Sequence, residues 1–240
     1  MEHTFEDAIN LGIETIENGG EISRAEEVIK RNCIACGASD VHVFIIPYLI
    51  AVTIIYDNKE KTILRRTNKS KLNIGRLEEI NNISRSFCKD KSIDKNIDYN
   101  YSNLTSSICV MIGVASFCIF FGGNIIDAIT SAISGFVIYN LPSTRISYNR
   151  FSRTLIASTI SGINSFIPTL LGFTAHPDKI MIGTIMLFIP GLNVGISIRD
   201  MMSGNIIAGI LELAEAIIIT FAINLGFGIA ILLFGSDIFA

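Results

Sequence analysis

From residue 104 to the last residue the chain carries only five basic and six acidic side chains. The first 103 residues hold the other 14 of 19 Lys/Arg and 16 of 22 Asp/Glu. A stretch so long and so poor in charge cannot be covered by its own polar residues, which points to a soluble half joined to a membrane half. The second half divides into five apolar runs, at about 104–121, 124–141, 154–175, 179–198 and 205–234. At 1.5 Å per residue each is long enough to cross a hydrocarbon core of about 30 Å. Short connections at 122–123, 142–153, 176–178 and 199–204 make neighbouring spans antiparallel. The expected fold class is an α-helical polytopic membrane protein with five transmembrane helices over 104–240, preceded by an N-terminal cytoplasmic α+β domain with its linker over 1–103.

Basic residues set the orientation. With residues 1–103 in the cytoplasm, the loop bearing Arg145, Arg150 and Arg153 also lies inside, as does the turn with Arg199. The outer loops then hold only Lys179, in accord with the positive-inside rule, and the C-terminus lies outside. The location expected is the cytoplasmic (inner) membrane. No charged-then-apolar signal sequence opens the chain. The five cysteines, 33, 36, 88, 109 and 118, are an odd count with two in the first apolar run. Reduced thiols fit that better than a disulfide framework. Charge is near neutral in both halves, so no nucleic-acid partner is expected.

In the soluble half, apolar residues at helical spacing predict helices over about 3–18 and 22–36, separated by Gly19-Gly20. Ser23 with Glu26 reads as a capping box for the second, and Gly37 as its C′ residue. Runs rich in Val, Ile, Thr and Tyr at 41–46, 49–56 and 62–66 predict a three-stranded meander, with turns at Pro47 and Asp57-Asn58. Helical spacing returns over 72–89, and 89–103 reads as a polar linker. Cys33-x-x-Cys36 is one pair without a second, and reads as two small residues on a last helical turn rather than a metal site. His42 stands alone in a strand and reads as structural. The basic run Arg65, Arg66, Lys69 and Lys71 reads as a solvated strand edge, with anionic lipid as the alternative.

The membrane half carries small and polar residues at helical spacing. They are Cys109, Gly113 and Ser116 in the first span, and Asp127, Ser131, Ser134 and Gly135 in the second. The third has Ser158, Ser161, Gly162, Ser165, Thr169 and Gly172. The fifth has Asn205, Gly209, Glu212, Ala216, Thr220, Asn224 and Gly228. Such stripes permit close helix contact in lipid. Carboxylates need another account, because an ionised acid at a helix centre costs about 2.5–3.5 kcal/mol on insertion scales. Asp127 lies three residues into its span, where a charge near a helix start and a functional role are about equally good readings. Glu212 and Glu215 lie i, i+3 on one face, about 10–15 Å into their span, where neighbouring acids in a dry site suit proton exchange. The stretch 180–215, IMIGTIMLFIPGLNVGISIRDMMSGNIIAGILELAE, breaks at Pro190-Gly191, followed by Asn193 and Gly195. A broken span exposes backbone groups and a half-helix start to an anionic substrate. Pro168 reads as a packed kink. The candidate substrate and ion pathway is therefore Asp127, Pro190, Gly191, Asn193, Arg199, Asp200, Asn205, Glu212 and Glu215, with no catalytic residue, metal or cofactor expected.

Four stretches, RNCIACGASDVHVFIIPYLIAVTI, KLNIGRLEEINNISRSF, FFGGNIIDAITSAISGF and IMLFIPGLNVGISIRDMMSGNIIAGILELAEA, resemble the N-terminal half of the threonine/serine exporter (ThrE) family. The likeness is closer to its split form, a YjjP-like subunit working beside a YjjB-like partner. It covers nearly the whole chain in order, and the last stretch is its most specific part. The family often has Asp where this chain has Asn205. The resemblance implies export of threonine and serine, or of a dicarboxylate such as succinate, and a chain that is half of a transporter. It also implies, as partner, a second membrane subunit resembling the C-terminal half of the family; nothing after Ala240 supplies that half. A proton-coupled exporter subunit for small polar metabolites, working as an oligomer in the bilayer, is the expectation. The alternative is a structural or regulatory subunit of a pore formed by another chain. An anchored enzyme is disfavoured, because the soluble half has no Gly-rich phosphate loop, no Ser/His/Asp set and no metal cluster.

Overall fold

A computed structural model describes residues 2–67, 72–90, 102–140 and 150–235. Most of the expected linker, Lys69, Lys71 and the loop with Arg145 lie outside the described residues. The chain is mostly helical, with one small sheet, and forms two compact units. One comprises Met1–Tyr99 with Leu192–Leu213, and the other Asn100–Gly191 with Ala214–Ala240.

In the first unit, α1 (Glu2–Glu17) and α2 (Ile22–Ala35) precede β1 (Asp40–Ile46), β2 (Leu49–Tyr56) and β3 (Lys59–Arg66). The strands form an antiparallel meander in chain order, with Val41 opposite Ile54 and Val52 opposite Ile63. Asp57 and Asn58 both have positive φ, 50° and 57°, the backbone of a two-residue hairpin turn whose twist matches the strands. Alternation sends Val41, Ile45, Ile50, Val52 and Ile54 into a core with Ile9, Val28, Ile29 and Cys33 of α1 and α2. Helix α3 (Ile74–Asp90) is tied to α1 by Arg76, which bonds Glu14 at 2.5 Å and Glu79 at 2.7 Å. Gly37, at φ 99°, ends α2 as C′: the N–H of Ala38 reaches the carbonyl of Cys33 and its own reaches that of Ile34. The expected capping box at Ser23 is absent. Helix α2 starts at Ile22 as its spacing predicts, so its N-cap is Glu21, two residues before Ser23, and the Glu21 side chain makes no cap bond.

The second unit contains α4 (Asn103–Phe120), α5 (Ile125–Tyr139), α6 (Arg150–Leu170), α7 (Pro177–Ile185) and most of α9 (Ile206–Phe234). Among the described residues two helices, α4 and α9, are long and apolar enough to cross a membrane. Only 17% of the apolar stretch of α4 and 33% of that of α9 is buried, unlike a soluble core helix. Helix α5 has 15 residues and reaches about 22 Å. Helix α6 has 21 residues, and Pro168 falls in its last turn. The fourth predicted span is divided: α7 ends at Ile185, and α8 (Gly191–Met202) begins directly after Pro190.

Helices α6 and α9 run parallel at a nearly constant offset. Arg150 pairs with Glu215, Gly226 faces Leu155 and Ser158, Gly162 faces Ala230, and the rings of Phe166 and Phe234 stack 6.1 Å apart. Two expected stripes lie on other faces. In α4, Cys109 and Ser116 are exposed and Gly113 meets nothing, while Val114 and Cys118 are buried. In α9 the expected line matches through Ala216 and then departs: Thr220 and Asn224 are exposed, and Ile219, Ile223 and Phe227 are buried. A run of i+4 steps turns about 40° too far per step on a helix of 3.6 residues per turn, so it walks off the contact face.

Gly183 of α7 crosses α4 closely, since a Cβ there would lie 2.8 Å from Cys118 Cβ and 3.1 Å from its backbone. Gly228 of α9 has nothing within 4 Å. Gly183→Ala is expected to destabilise by about 1–3 kcal/mol through overpacking. Gly228→Ala is expected to be neutral or to stabilise by up to about 1 kcal/mol through lower chain entropy. Thermal unfolding of both variants in detergent checks the contrast, and equal midpoints would contradict the close α4–α7 packing.

Candidate functional site

The break between α7 and α8 is built by a gradual loss of helix. The N–H groups of Leu187 and Phe188 reach back only three residues, to Thr184 and Ile185, the tighter winding of a helix that is ending. Pro190 has no N–H to continue the ladder, and Gly191 starts α8. Gly191 is exposed and Asn193, one turn into α8's first segment, is half-buried. The first-turn amides of such a helix form the positive end of its dipole.

Asp127 is fully buried and heavily bonded. Asn124 and Asp127 form a reciprocal capping box at the start of α5: Asp127 N–H donates to Asn124 Oδ1 at 2.9 Å, and Asn124 N–H to Asp127 Oδ2 at 2.8 Å. The backbone N–H of His176 donates to Asp127 Oδ1 at 2.8 Å, and His176 Nδ1 lies 3.0 Å from Oδ2. Asn124 Nδ2 also holds the carbonyl of Thr174 at 2.6 Å. Asp127 thus starts α5 and fastens the segment leading into α7.

Arg199 and Asp200 meet the N-terminal unit. Arg199 Nη1 lies 2.5 Å from Glu21 Oε1, and the buried carboxylate of Asp200 accepts the N–H of Ile22 at 3.2 Å. That bond replaces the expected cap of α2. Asn205, half-buried, donates its N–H to the carbonyl of Asp200 at 2.9 Å and accepts that of Gly209 at 3.0 Å. The two glutamates of α9 differ. Glu212 is 3% exposed, whereas Glu215 pairs with Arg150 at 2.9 Å.

The other residues weighed in the sequence lie in the N-terminal unit. Cys33 belongs to the N-terminal core, and burial, helped by the neighbouring Cys36, pushes its thiol up to about 12. His42 is exposed, 3.5 Å from Asp40. Arg65 lies 3.7 Å from Glu6. Among the described residues no group of three metal-ligating side chains comes together. One residue passed over in the sequence is Asn164 of α6. Its amide donates to Ser134 Oγ of α5 at 2.5 Å, at the wall of two mostly apolar clefts of about 250 and 300 Å³ between α5 and α6, which Ser134, Ser161 and Thr130 also line. A lone amide within an apolar run was the signal available for it.

Comparisons with known proteins bear on the family of the chain. A family model described as "Putative threonine/serine exporter" matches residues 8–234. The "Probable succinate transporter subunit YjjP" of Klebsiella aerogenes is 23% identical over 242 residues, covering 95% of this chain and 92% of that protein. The protein of the same name from Escherichia coli (strain K12) is 23% identical over 241 residues, covering 95% and 93%. No solved structure matches. With the match running through both units and across the α7–α8 break, the chain belongs to the threonine/serine exporter family.

Proposed function

We propose that the chain is one subunit of a proton-coupled secondary exporter of small polar metabolites in the cytoplasmic membrane. The observation that carries this reading is the apolar run that stops at Ile185 and restarts as a helix at Gly191. In lipid, unpaired backbone is tolerated only where protein or a water-filled cavity covers it, so a broken span marks a passage rather than an anchor. The names of the two relatives support a transporter subunit with a partner, and their printed substrate makes succinate the first dicarboxylate to test beside threonine and serine.

In this reading the start of α8, with Gly191 and Asn193, offers backbone donors to a carboxylated substrate. Glu212 takes up and releases the proton, because it is a buried carboxylate in a largely apolar helix. A change of one full charge in a low dielectric alters the local field strongly enough to bind and then release an anion. Arg199, Asp200 and Asn205 fasten helix ends in the unit that holds Glu212, and Asp127 and Glu215 fasten helices of the other unit.

The proposed topology has five crossings, with residues 1–103 inside and Ala240 outside. Two contacts support it. The Arg199–Asp200 turn bonds to α2, so it shares a side with the N-terminal domain, and parallel α6 and α9 start on one side. The proposed partner is a second membrane subunit resembling the other half of the family.

Reconstitution tests the function. The chain with its partner should exchange labelled succinate, threonine or serine across liposomes, and the chain alone should do so at least about tenfold more slowly; full exchange by the chain alone would reject the two-subunit reading. Glu212→Gln keeps shape but removes ionisation, and should abolish the pH dependence of export between about pH 5.5 and 8 while assembly persists. An unchanged pH profile would remove Glu212 from the mechanism. Impermeant thiol labelling should reach a cysteine placed at His176 from outside and one at Arg153 only from inside; labelling of both from one side would overturn the topology.

A further inference from the structure

The turn at residues 199–205 does more than connect two helices. Asp200 occupies the third position from the end of α8. Its carbonyl accepts the N–H of Asn205 at 2.9 Å, Gly204 at φ 93° donates to the carbonyl of Met201 at 3.1 Å, and α8 stops. The side chain of the same residue, fully buried, accepts the N–H of Ile22 and starts α2. Helix α2 has no capping side chain of its own, so a residue 178 positions later supplies one. Beside it, Arg199 holds Glu21. Two packing contacts back up the bonds. Ala208, in the first turn of α9, is part of the N-terminal hydrophobic core. Gly209 brings α9 against α8 so closely that a Cβ would lie 2.6 Å from the carbonyl oxygen of Ser197.

We propose that this joint stays closed throughout transport. Asp200 is then a positioning residue: α2, the end of α8 and the start of α9 move as one body, and the N-terminal domain carries the beginning of the Glu212-bearing helix with it. The inference rests on the exporter reading for its functional meaning. The physical reason is that opening the joint would break the bond between a buried carboxylate and the first amide of α2, and would expose core surface at Ala208.

Two measurements test it, one of them independent of transport. Hydrogen exchange should show the segment around residues 18–25 exchanging about tenfold faster in Asp200→Ala than in the unaltered protein, with Asp200→Asn, which keeps an acceptor oxygen, close to normal. Equal exchange in all three would overturn the joint whether or not the chain exports anything. For the second, cysteines replace Glu21 and Arg199 in a chain whose Cys36, Cys88 and Cys109 are serine, and a short reducible bis-thiosulfonate links them. Linking should proceed equally with and without succinate, threonine or serine, and linked protein reconstituted with its partner should export within about twofold of the reduced protein. Failure to link, linking that changes with substrate, or export lost on linking and restored by reductant would each show that the joint opens and reject the proposal. No export from the reduced protein, with normal linking and exchange, would instead count against the exporter reading.

Discussion

A hydroxyl placed among apolar neighbours must find an acceptor, and in this chain the helix provides one a turn back. Ser107 donates to the carbonyl of Asn103, Thr130 to Ile126, Ser158 to Thr154, Thr184 to Ile180 and Thr220 to Ala216, all between 2.7 and 2.9 Å. Each side chain becomes in effect a small apolar knob, which lets helices come close without stranding a polar atom. The packing of the second unit depends on this. It also means that a high density of Ser and Thr in apolar helices is no evidence of a polar route through them. Function has to be sought in groups that cannot satisfy themselves locally, namely carboxylates, the amide of Asn164 and the backbone at a break.

Much of the local structure was legible. The meander, the Asp57-Asn58 turn, the end of α2 at Gly37 and the break before Gly191 each rest on a residue type with one strong conformational preference. What could not be read was set by distant partners. Ser23 and Glu26 make a sound cap motif, yet the N-cap is Glu21, two residues earlier, and a buried acceptor from another part of the chain takes the first amide of α2. The contact faces of α4 and α9 differ from the small-residue stripes because large and small residues share them: Val114 lies between Ser107 and Cys118 in α4, and Ile219, Ile223 and Phe227 lie among alanines in α9.

The carboxylates show why residue type alone underdetermines role. Asp127, Asp200, Glu212 and Glu215 are four acids in largely apolar sequence, and burial by itself would treat the first three alike. Their partners separate them. Asp127 begins one helix and holds the connection that leads into α7, Asp200 ends one helix and begins another, and Glu215 shares its charge with an arginine. A motif such as Arg-Asp in a short turn therefore reads equally well as a substrate contact and as a structural fastening until its partners are known.

The shared direction of α6 and α9 has a consequence of parity. A chain whose two flanking helices point the same way has to travel back between them, an odd number of times. That return falls to residues 171–205, whose helices are α7 and α8, of nine and twelve residues. At 1.5 Å per residue they measure about 14 and 18 Å, so neither alone is as long as α6 at roughly 32 Å. The reversal of direction between α6 and α9 is therefore shared by two short helices with Pro190 at their junction, and no single uninterrupted helix makes it.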